Sequence, residues 1–342
     1  MLALPEALAS SPRATLSFDS RGLSQWDAGL ASALWQRLSA LDPGRVVIDS
    51  GGLPPGLAQI LALSMPQSAA TTADPEQAPR GLALWGLWAT ASSQRLTATL
   101  AFVGSVVLSM GRLARGRSDM RWSDLVWQVE QTGPRSLPIV ALVSFLIGLI
   151  VAYMGAAQLE RFGAQTYIAD LVTVGVVREI AALLVGIVLA GRVGAAFAAQ
   201  IGSMRANEEV DALQTMGVDP VDHLVLPRVL ALLIVGPLLT VFAALVGLLV
   251  GWAVAVLLYD VTPLEYAYKS LSALTLPNLL IGLLKGTVYA VLVALAGCRQ
   301  GLAAGRSAQA VGDATTAAVV QSIVWIVVAA SALTVIFQRL DW

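Results

Sequence analysis

The sequence predicts a mainly α-helical polytopic membrane protein, with an interfacial helix and five transmembrane helices after a small cytoplasmic α/β domain. The chain has 342 residues and a mean hydropathy of +0.74, and 13% of its residues are charged. A soluble domain typically has about 25% charged residues. Several uncharged stretches exceed the ~20 apolar residues that cross a bilayer. The net charge of −1 indicates no nucleic-acid partner.

The cysteine content and the N-terminus narrow the protein class further. Cys298 is the only cysteine in the sequence and lies in an apolar run, so an intramolecular disulfide is excluded and no cysteine-based metal or redox site is expected. The first residues lack a basic stretch followed by a continuous apolar one, so we expect no cleavable signal peptide. The first segment should therefore remain in the cytoplasm.

Residues 1–65 differ in composition from the rest of the chain and predict a small α/β domain. We expect strands at Ala14–Phe18 and Arg45–Asp49, and helices that begin near Ser24 and at Gly56. One face of the first helix would carry Trp26, Leu30, Leu34, Leu38 and Leu41. Such a unit is too small to bury a large core alone and should pack on another surface.

This order of elements resembles a reduced STAS domain. The resemblance lies in a strand that ends in Asp49 and is followed by Ser50-Gly51 and a helix. It implies that Ser50 is a candidate phosphorylation site, whereas the alternative is an ordinary loop with a helix cap. Residues 66–80, rich in Pro, Ser, Thr and Ala, predict a linker to the membrane region.

Residues 81–135 predict an interfacial helix and an elbow helix. The stretch Leu82–Leu113 is apolar but contains Gln94 and Arg95, and a group of arginines follows it: Arg112, Arg115, Arg117 and Arg121. An apolar body with a basic edge suits a helix that lies in the cytoplasmic interface, with a spanning helix as the alternative. Trp122–Thr132 would form the elbow.

Residues 136–342 predict five membrane spans. We expect them at Ser136–Leu159, Ile168–Arg205, Val229–Tyr259, Leu271–Cys298 and Ala314–Gln338, with loops at 260–269 and 299–312. The segments 205–228 and 299–312 hold the larger number of Lys and Arg residues, which places them in the cytoplasm. The N-terminus is then cytoplasmic and the C-terminus periplasmic.

Small residues recur every fourth position in the second predicted span. They are Gly186, Ala190, Gly194, Ala198 and Gly202, with Gly191 beside them. This spacing lets helix backbones approach closely. It predicts a packing surface, either within one subunit or as the seam of a dimer.

Three charged residues lie within predicted spans. Arg178 and Glu179 are adjacent in the second span, and Lys285 lies in the middle of the fourth. Intramembrane charges face an interior or a wet cavity in most membrane proteins. We therefore expect a polar site at a ligand cavity, with a structural ion pair to Arg192 or Lys285 as the alternative. Lys285 could instead extend to a membrane edge.

The segment between the second and third spans predicts a short amphipathic helix. Val210, Leu213 and Met216 share one face, and acidic or amide residues surround it: Asn207, Glu208, Glu209 and Asp211. Such a ridge suits docking into the groove of a partner, whereas a solvated linker helix is the alternative. The sequence contains no Walker A motif, so we expect any ATP hydrolysis to occur on a separate protein.

Residues 178–228 resemble the MlaE (YrbE) family of ABC-transporter permeases. The matching segments are Arg178-Glu179, Ala190–Gly194, Ile201–Arg205, Glu208-Glu209, Asp211–Leu213, Met216–Pro220 and Leu226–Arg228, and weaker matches extend the resemblance over about 95–338. The resemblance implies a permease, not an enzyme, that moves phospholipids between the inner and outer membranes of Gram-negative bacteria. It also implies residence in the inner membrane.

The same resemblance implies partners and residue roles. The partners would be a second copy of the chain, an ABC ATP-binding subunit and an MCE-domain periplasmic substrate-binding protein; the chain itself would bind no cofactor, because ATP binds the partner subunit. Residues 207–216 would be the coupling helix that contacts the ATPase. Arg178, Glu179, Met154 and Lys285 would be candidates for the lipid cavity.

Two positions depart from the family pattern. The family continues Arg-Glu with Leu-Gly-Pro, but here Ile180, Ala181 and Ala182 follow, which predicts a straighter helix. Met154 stands where the family commonly has glutamine. A second hypothesis is a STAS-linked secondary anion transporter, although the expected inverted repeats are not evident.

Overall fold

The structure is a computed structural model that describes residues 14–20, 28–38, 46–64, 82–164 and 167–340. Backbone contacts divide the chain into two compact units, Met1–Ala89 and Thr90–Trp342. The expected linker at 66–80 and the expected helix start at Ser24 lie outside the described residues, as do Trp26 and Leu41.

The first unit contains a two-stranded parallel sheet and two helices. Strand β1 (Ala14–Ser17) pairs with β2 (Val46–Asp49), with Leu16 opposite Ile48. Helix α1 spans Ala28–Leu38 and α2 spans Pro55–Ser64. A small apolar core joins the helices through Ala31, Leu34, Leu38, Leu57 and Leu61. The two strands and the second helix lie close to the positions predicted from the sequence. The STAS resemblance stays a prediction. The side chain of Ser50 lies outside the described part of the chain.

The membrane unit is helical throughout its described part. Its helices are α3 (Leu82–Ala114) from Thr90 onward, α4 (Trp122–Thr132), α5 (Leu137–Glu160), α6 (Ile168–Ala206), α7 (Glu209–Thr215), α8 (Val221–Leu258), α9 (Pro263–Ala273), α10 (Leu276–Leu302) and α11 (Ala308–Arg339). Among the described residues, six helical segments are long and apolar enough to cross a membrane. This confirms a polytopic, mainly α-helical membrane protein.

The first of these six segments, Leu96–Ala114, belongs to the helix that the sequence predicts to lie in the interface. Its length and composition also suffice for a span, so the interfacial position stays a prediction. The other five segments correspond to the five predicted spans.

The predicted loop at 260–269 is wrong, because helix α9 occupies most of it. The side chain of Thr262 accepts a hydrogen bond from the backbone N–H of Glu265, at 3.4 Å, and Pro263 is the first helical residue. These residues form a helix-start signature that the sequence already carried. The fourth span consequently begins at Leu276, and not at Leu271. The basic loop is also shorter than predicted, because helices α10 and α11 leave only residues 303–307 between them.

Helix α6 is continuous but not regular. Two π-helical turns interrupt its α-helical hydrogen bonding, at Val176–Ile180 and at Ala190–Gly194. A π turn inserts one extra residue into the helix and often marks a functional position. We expected a straighter helix because the Gly-Pro pair is missing at Ala181-Ala182. The structure instead has a π turn directly before these two residues, so the helix is irregular there for another reason.

The core of the membrane unit lies where α6, α8 and α10 pack together, with α5 against α8 and α11 against α10. Close backbone approach makes this packing possible. A Cβ atom on Gly297 of α10 would lie 2.6 Å from the carbonyl oxygen of Gly194. A Cβ atom on Gly282 of the same helix would overlap the carbonyl oxygen of Val177. Helix α10 thus runs directly against both π turns of α6.

Candidate functional site

A charged cluster lies inside the membrane unit, at the first π turn of α6. The Nζ atom of Lys285 lies 2.5 Å from Oε1 of Glu179 and donates a hydrogen bond to Oγ1 of Thr334, at 2.8 Å. Thr334 also donates to Oε2 of Glu179, at 3.4 Å. The cluster therefore joins α6, α10 and α11.

Arg178 extends the cluster toward the start of α10. Its Nε atom lies 3.9 Å from Glu179, and its Nη1 donates to Oδ1 of Asn278, at 3.1 Å. Asn278 and Thr334 were not identified from the sequence. The sequence feature that could have indicated them is a polar side chain in an otherwise apolar helix, and this feature is too common to identify a site.

Burial is unequal within the cluster. The side chain of Lys285 is 0% exposed, whereas that of Glu179 is 39% exposed. Lys285 therefore does not extend to a membrane edge, and its ammonium depends on Glu179 for charge compensation. Of the two ion pairs considered from the sequence, the structure forms the one with Lys285; Arg192 instead donates to the hydroxyl of Ser136.

Met154 lies apart from this cluster. It is 61% exposed on α5 and takes no part in the described hydrogen bonds and ion pairs of Glu179. The surface between α5 and α8 has an apolar groove of about 460 Å³. Its lining consists of Phe145, Leu149, Val246, Leu249, Val250, Ala253, Val254, Leu257 and Leu258.

The small-residue stripe of α6 packs within the chain. Cβ atoms on Gly186 and Gly194 would lie 3.1 Å from side-chain atoms of Tyr289 and Val293 on α10. Ala198 is fully buried, and a Cβ atom on Gly202 would lie 3.3 Å from Ala304 in the turn and 3.4 Å from Val311 of α11. Gly191 differs, because a Cβ there would meet open space. All five residues of the stripe, Ala190 included, are therefore buried by the same chain and are not free to form a dimer seam, whereas Gly191 is exposed.

Helix α7 occupies the centre of the predicted coupling segment. Glu208, before the helix, has a φ of 62°, a left-handed conformation that separates α7 from α6. Val210 is only 3% exposed and faces the protein, Leu213 is half-buried, and Met216 is 69% exposed. The predicted apolar ridge is thus wrong at Val210. Its outward part is Met216, beside exposed Asn207 and Glu209.

Arg306 ties α7 to the turn between α10 and α11. Its guanidinium lies 2.7 Å from Asp211 and 3.5 Å from Glu208. Close by in the sequence, Arg205 donates to the carbonyl oxygen of Leu302 at the end of α10. These contacts connect α7 to the turn between α10 and α11, the helices that also carry Lys285 and Thr334.

A second set of ion pairs holds the turn that follows α7. Arg112, in the last turn of α3, donates to Asp219, at 2.7 Å, and to both oxygens of Asp222. Asp222 is almost fully buried, so this contact fixes the end of α3 next to the start of α8. The sequence predicted Arg112 only as part of a basic membrane edge.

Comparison with known proteins identifies the family. The family model "Permease MlaE" matches residues 125–336, more than half of the chain. A probable ABC transporter permease of Rickettsia prowazekii is 35% identical over 215 residues, which cover 63% of this chain and 83% of that protein. A probable ABC transporter permease of Synechocystis is 35% identical over 230 residues, 67% of this chain and 86% of that protein.

One plant relative is named after a lipid. The chloroplast protein TRIGALACTOSYLDIACYLGLYCEROL 1 of Arabidopsis thaliana is 31% identical over 234 residues, which cover 68% of this chain and 65% of that protein. All of the elements from α5 to α10, including the charged cluster and α7, lie within the matched family region. The chain belongs to the MlaE family of ABC transporter permeases.

Proposed function

We propose that this chain is the membrane-spanning subunit of a transporter that moves phospholipids between the inner and outer membranes. A separate ABC ATP-binding subunit, which binds the ATP, would drive the movement. The family implies such a subunit, and the lipid in the name of the Arabidopsis relative supports a glycerolipid substrate. The direction of transport is left open in this proposal.

The observation that carries the proposal is the connection between α7 and the charged cluster. Met216, directly after the last residue of α7, and the acidic side chain of Glu209 are exposed, and Arg306 links α7 to the α10–α11 turn. The same two helices hold Lys285 and Thr334 against Glu179. Force applied to α7 by an ATPase would therefore reach the intramembrane site through α10 and α11.

The apolar groove supports a lipid substrate. It lies on the surface between α5 and α8, where an acyl chain would find continuous apolar contact. The polar cluster at Glu179 would meet the headgroup or its bound water during transfer. Arg178, Glu179 and Lys285 are thus the proposed polar cavity residues.

The assembly follows from the same proposal. The transporter would contain two copies of this chain in the inner membrane and an MCE-domain protein on the periplasmic side. The five stripe residues of α6 are buried within the chain, so the dimer contact would use other surfaces. Arg205, Arg228, Arg299 and Arg306 lie in or beside the connections on the α7 side of the membrane. By the positive-inside rule this side, and with it the N-terminus, would face the cytoplasm.

Met216→Glu tests the docking role of α7. Met216 is 69% exposed, so a carboxylate there should not disturb the fold but should oppose an apolar contact with the ATPase. We expect an ATP-binding protein to co-purify with the wild-type chain and with Met216→Leu, but to be lost by about tenfold or more with Met216→Glu, the effect of burying an unpaired charge at an interface. Leu213→Glu is a poorer test, because Leu213 is half-buried and its substitution would also strain α7. An intact complex with Met216→Glu would exclude docking at this residue.

A further inference from the structure

Arg228 is a second buried cation, far along the chain from the first cluster. It lies at the start of α8, just beyond the turn that follows α7, and is 6% exposed. Its Nη1 donates to the carbonyl oxygen of Leu224, at 2.6 Å, and its Nη2 donates to Oε1 of Gln200, at 3.2 Å. Its guanidinium also lies 5.6 Å from the centre of the Phe197 ring.

These contacts leave the guanidinium of Arg228 without an ion pair among the described residues. Both of its hydrogen-bond acceptors are neutral, and its Nε has no hydrogen-bond partner among the described residues. Within the described part of the chain, no carboxylate forms an ion pair with it, although Asp124 attracts it electrostatically over a longer distance. Lys285 differs in this respect, because Glu179 compensates its charge. A buried cation without a counter-ion in direct contact is costly, so an anion hydrogen-bonded to Arg228 would be stabilising.

A shallow pocket, widely open to its surroundings, lies beside this guanidinium. It has a volume of about 550 Å³ and is lined by Trp127, Ala199, Gln200, Ser203, Met204 and Arg228. Gln200 and Ser203 are exposed and can donate hydrogen bonds to an oxyanion. No acidic side chain belongs to the lining. The pocket therefore offers one positive charge and neutral donors, the chemistry that binds a phosphate group.

The position of the pocket indicates where the phosphate comes from. Arg228 and Ser203 lie at the ends of α8 and α6 that adjoin α7, so the pocket belongs to the same membrane face as α7. Trp127 is 48% exposed, and tryptophan is enriched at headgroup depth. Lipid phosphates of that leaflet lie at this depth.

We propose that Arg228, Gln200 and Ser203 form a phosphate site for the headgroup of a glycerophospholipid from the leaflet on the α7 side. The proposal rests on the function proposed above and extends it, because it assigns a headgroup position separate from the cluster at Glu179. A lipid held there has its phosphate at the start of α8. Soluble phosphate shares the same chemistry and is the other source to be distinguished.

Ser203→Asp tests the site without removing Arg228, whose loss could prevent folding. Ser203 is exposed, and a carboxylate at this position would fill the pocket with a negative charge beside Arg228. Ser203→Asn is the neutral comparison. Ala308→Asp is the charge control, because Ala308 is an exposed residue outside the pocket, and a first-turn acid suits the start of α11.

The measurement is binding of dioctanoyl phosphatidylglycerol to the purified full-length chain with its co-purifying partners, and dioctanoylglycerol serves as the ligand without phosphate. We expect the wild type and Ala308→Asp to bind the phospholipid more tightly than the diacylglycerol. Ser203→Asp should weaken phospholipid binding by about tenfold or more, as expected for loss of a charge-assisted contact, without changing diacylglycerol binding. Ser203→Asn should weaken it less than Ser203→Asp.

Two results would overturn the assignment. Equal phospholipid binding by Ser203→Asp and the wild type would exclude the site, whereas ATP-driven lipid transfer could still proceed and leave the proposed function intact. If inorganic phosphate displaced the phospholipid at equal concentration, the acyl chains would contribute nothing to the affinity. The ligand of the site would then be a soluble phosphate and not a lipid headgroup. A wild-type chain that neither binds nor transfers phospholipid would instead refute the proposed function itself.

Discussion

Lys285 and Glu179 show how one intramembrane charge depends on another. Lys285 is completely buried and has one carboxylate and one hydroxyl as partners, while Glu179 is 39% exposed and has Arg178 as a further cation nearby. The two residues are therefore not equivalent. Removal of Glu179 strands a buried ammonium, whereas removal of Lys285 leaves a carboxylate with partial access to its surroundings and a second positive neighbour.

This asymmetry predicts unequal costs for Glu179→Leu and Lys285→Met. Breaking a buried ion pair from one side costs on the order of 3–5 kcal/mol, and the exposure of Glu179 places this pair at the lower end of that range. We expect Glu179→Leu to lower the thermal stability more than Lys285→Met does, in the same detergent. The double substitution should recover much of the loss, because no charge remains buried alone.

Unfolding temperatures of the four proteins, wild type, two single variants and the double variant, provide the measurement. Equal and additive losses would mean that the two charges are not coupled. Lipid transfer by the double variant separates roles: a stable but inactive protein supports a function for the charges beyond folding, and a stable, fully active one supports only a structural role.

At the same scale, the sequence indicated which charges matter but not all of their partners. Arg178, Glu179 and Lys285 were evident because charged residues are rare in apolar helices. Asn278 and Thr334 were not, since they lie 100 and 49 residues away in sequence from the groups they contact. The exposed position of Met154 was equally beyond reach, because an apolar residue in an apolar helix carries no signal for the face it occupies.

Helices α6 and α10 pack with their backbones in close contact. The first π turn of α6 contains Arg178 and Glu179, and Gly282 allows α10 to approach the carbonyl oxygen of Val177 in that turn. The sequence did not predict the π turns, because a π turn has no fixed residue signature comparable to a proline kink. It did predict close approach along α6, since small residues recur there at helical spacing.

The close approach predicts opposite effects for two glycine substitutions. Gly282→Ala would overlap backbone atoms of α6, which cannot move as a flexible side chain can, so we expect a loss of about 1–3 kcal/mol in stability or more. Gly191→Ala places its methyl group in open space and should be neutral or stabilising by about 0.5–1 kcal/mol, because alanine favours helix more than glycine does.

Thermal unfolding of both variants in the same detergent checks the prediction, with lipid transfer as the second readout. A tolerated Gly282→Ala would show that α10 can move away from the π turn. That result would contradict the conclusion that α6 and α10 are held in a fixed contact at this turn.

For the element boundaries, the strongest sequence signals were the long apolar runs. These gave the first two spans to within one residue, whereas the predicted starts of the other three, at 229, 271 and 314, differ from the observed helix starts at 221, 276 and 308. The errors lie at the connections. Helix α9 was taken as a loop because Glu265 and Lys269 make its sequence polar, although Thr262, Pro263 and Glu265 form a helix start. Val210 was assigned to an outward ridge because helical periodicity shows that residues share a face, but not which neighbour covers that face.

The whole molecule combines a family-typical membrane unit with a small N-terminal α/β unit. The family match covers residues 125–336 and does not reach the first unit. The membrane unit could be predicted from composition, charge asymmetry and family resemblance. The position of α3 could not, since Leu96–Ala114 is long and apolar enough to span, while its basic end suits an interface.

The central claim is that this chain moves phospholipid with energy received through α7 from a separate ATPase. The most direct measurement is transfer of a labelled phospholipid by the purified chain and its co-purifying ATP-binding subunit, reconstituted in vesicles with and without ATP, with Met216→Glu as the uncoupled variant. We predict transfer only with ATP and only with the wild-type α7. Transfer, or uptake of a small anion, driven by an ion gradient in vesicles without ATP would contradict the account.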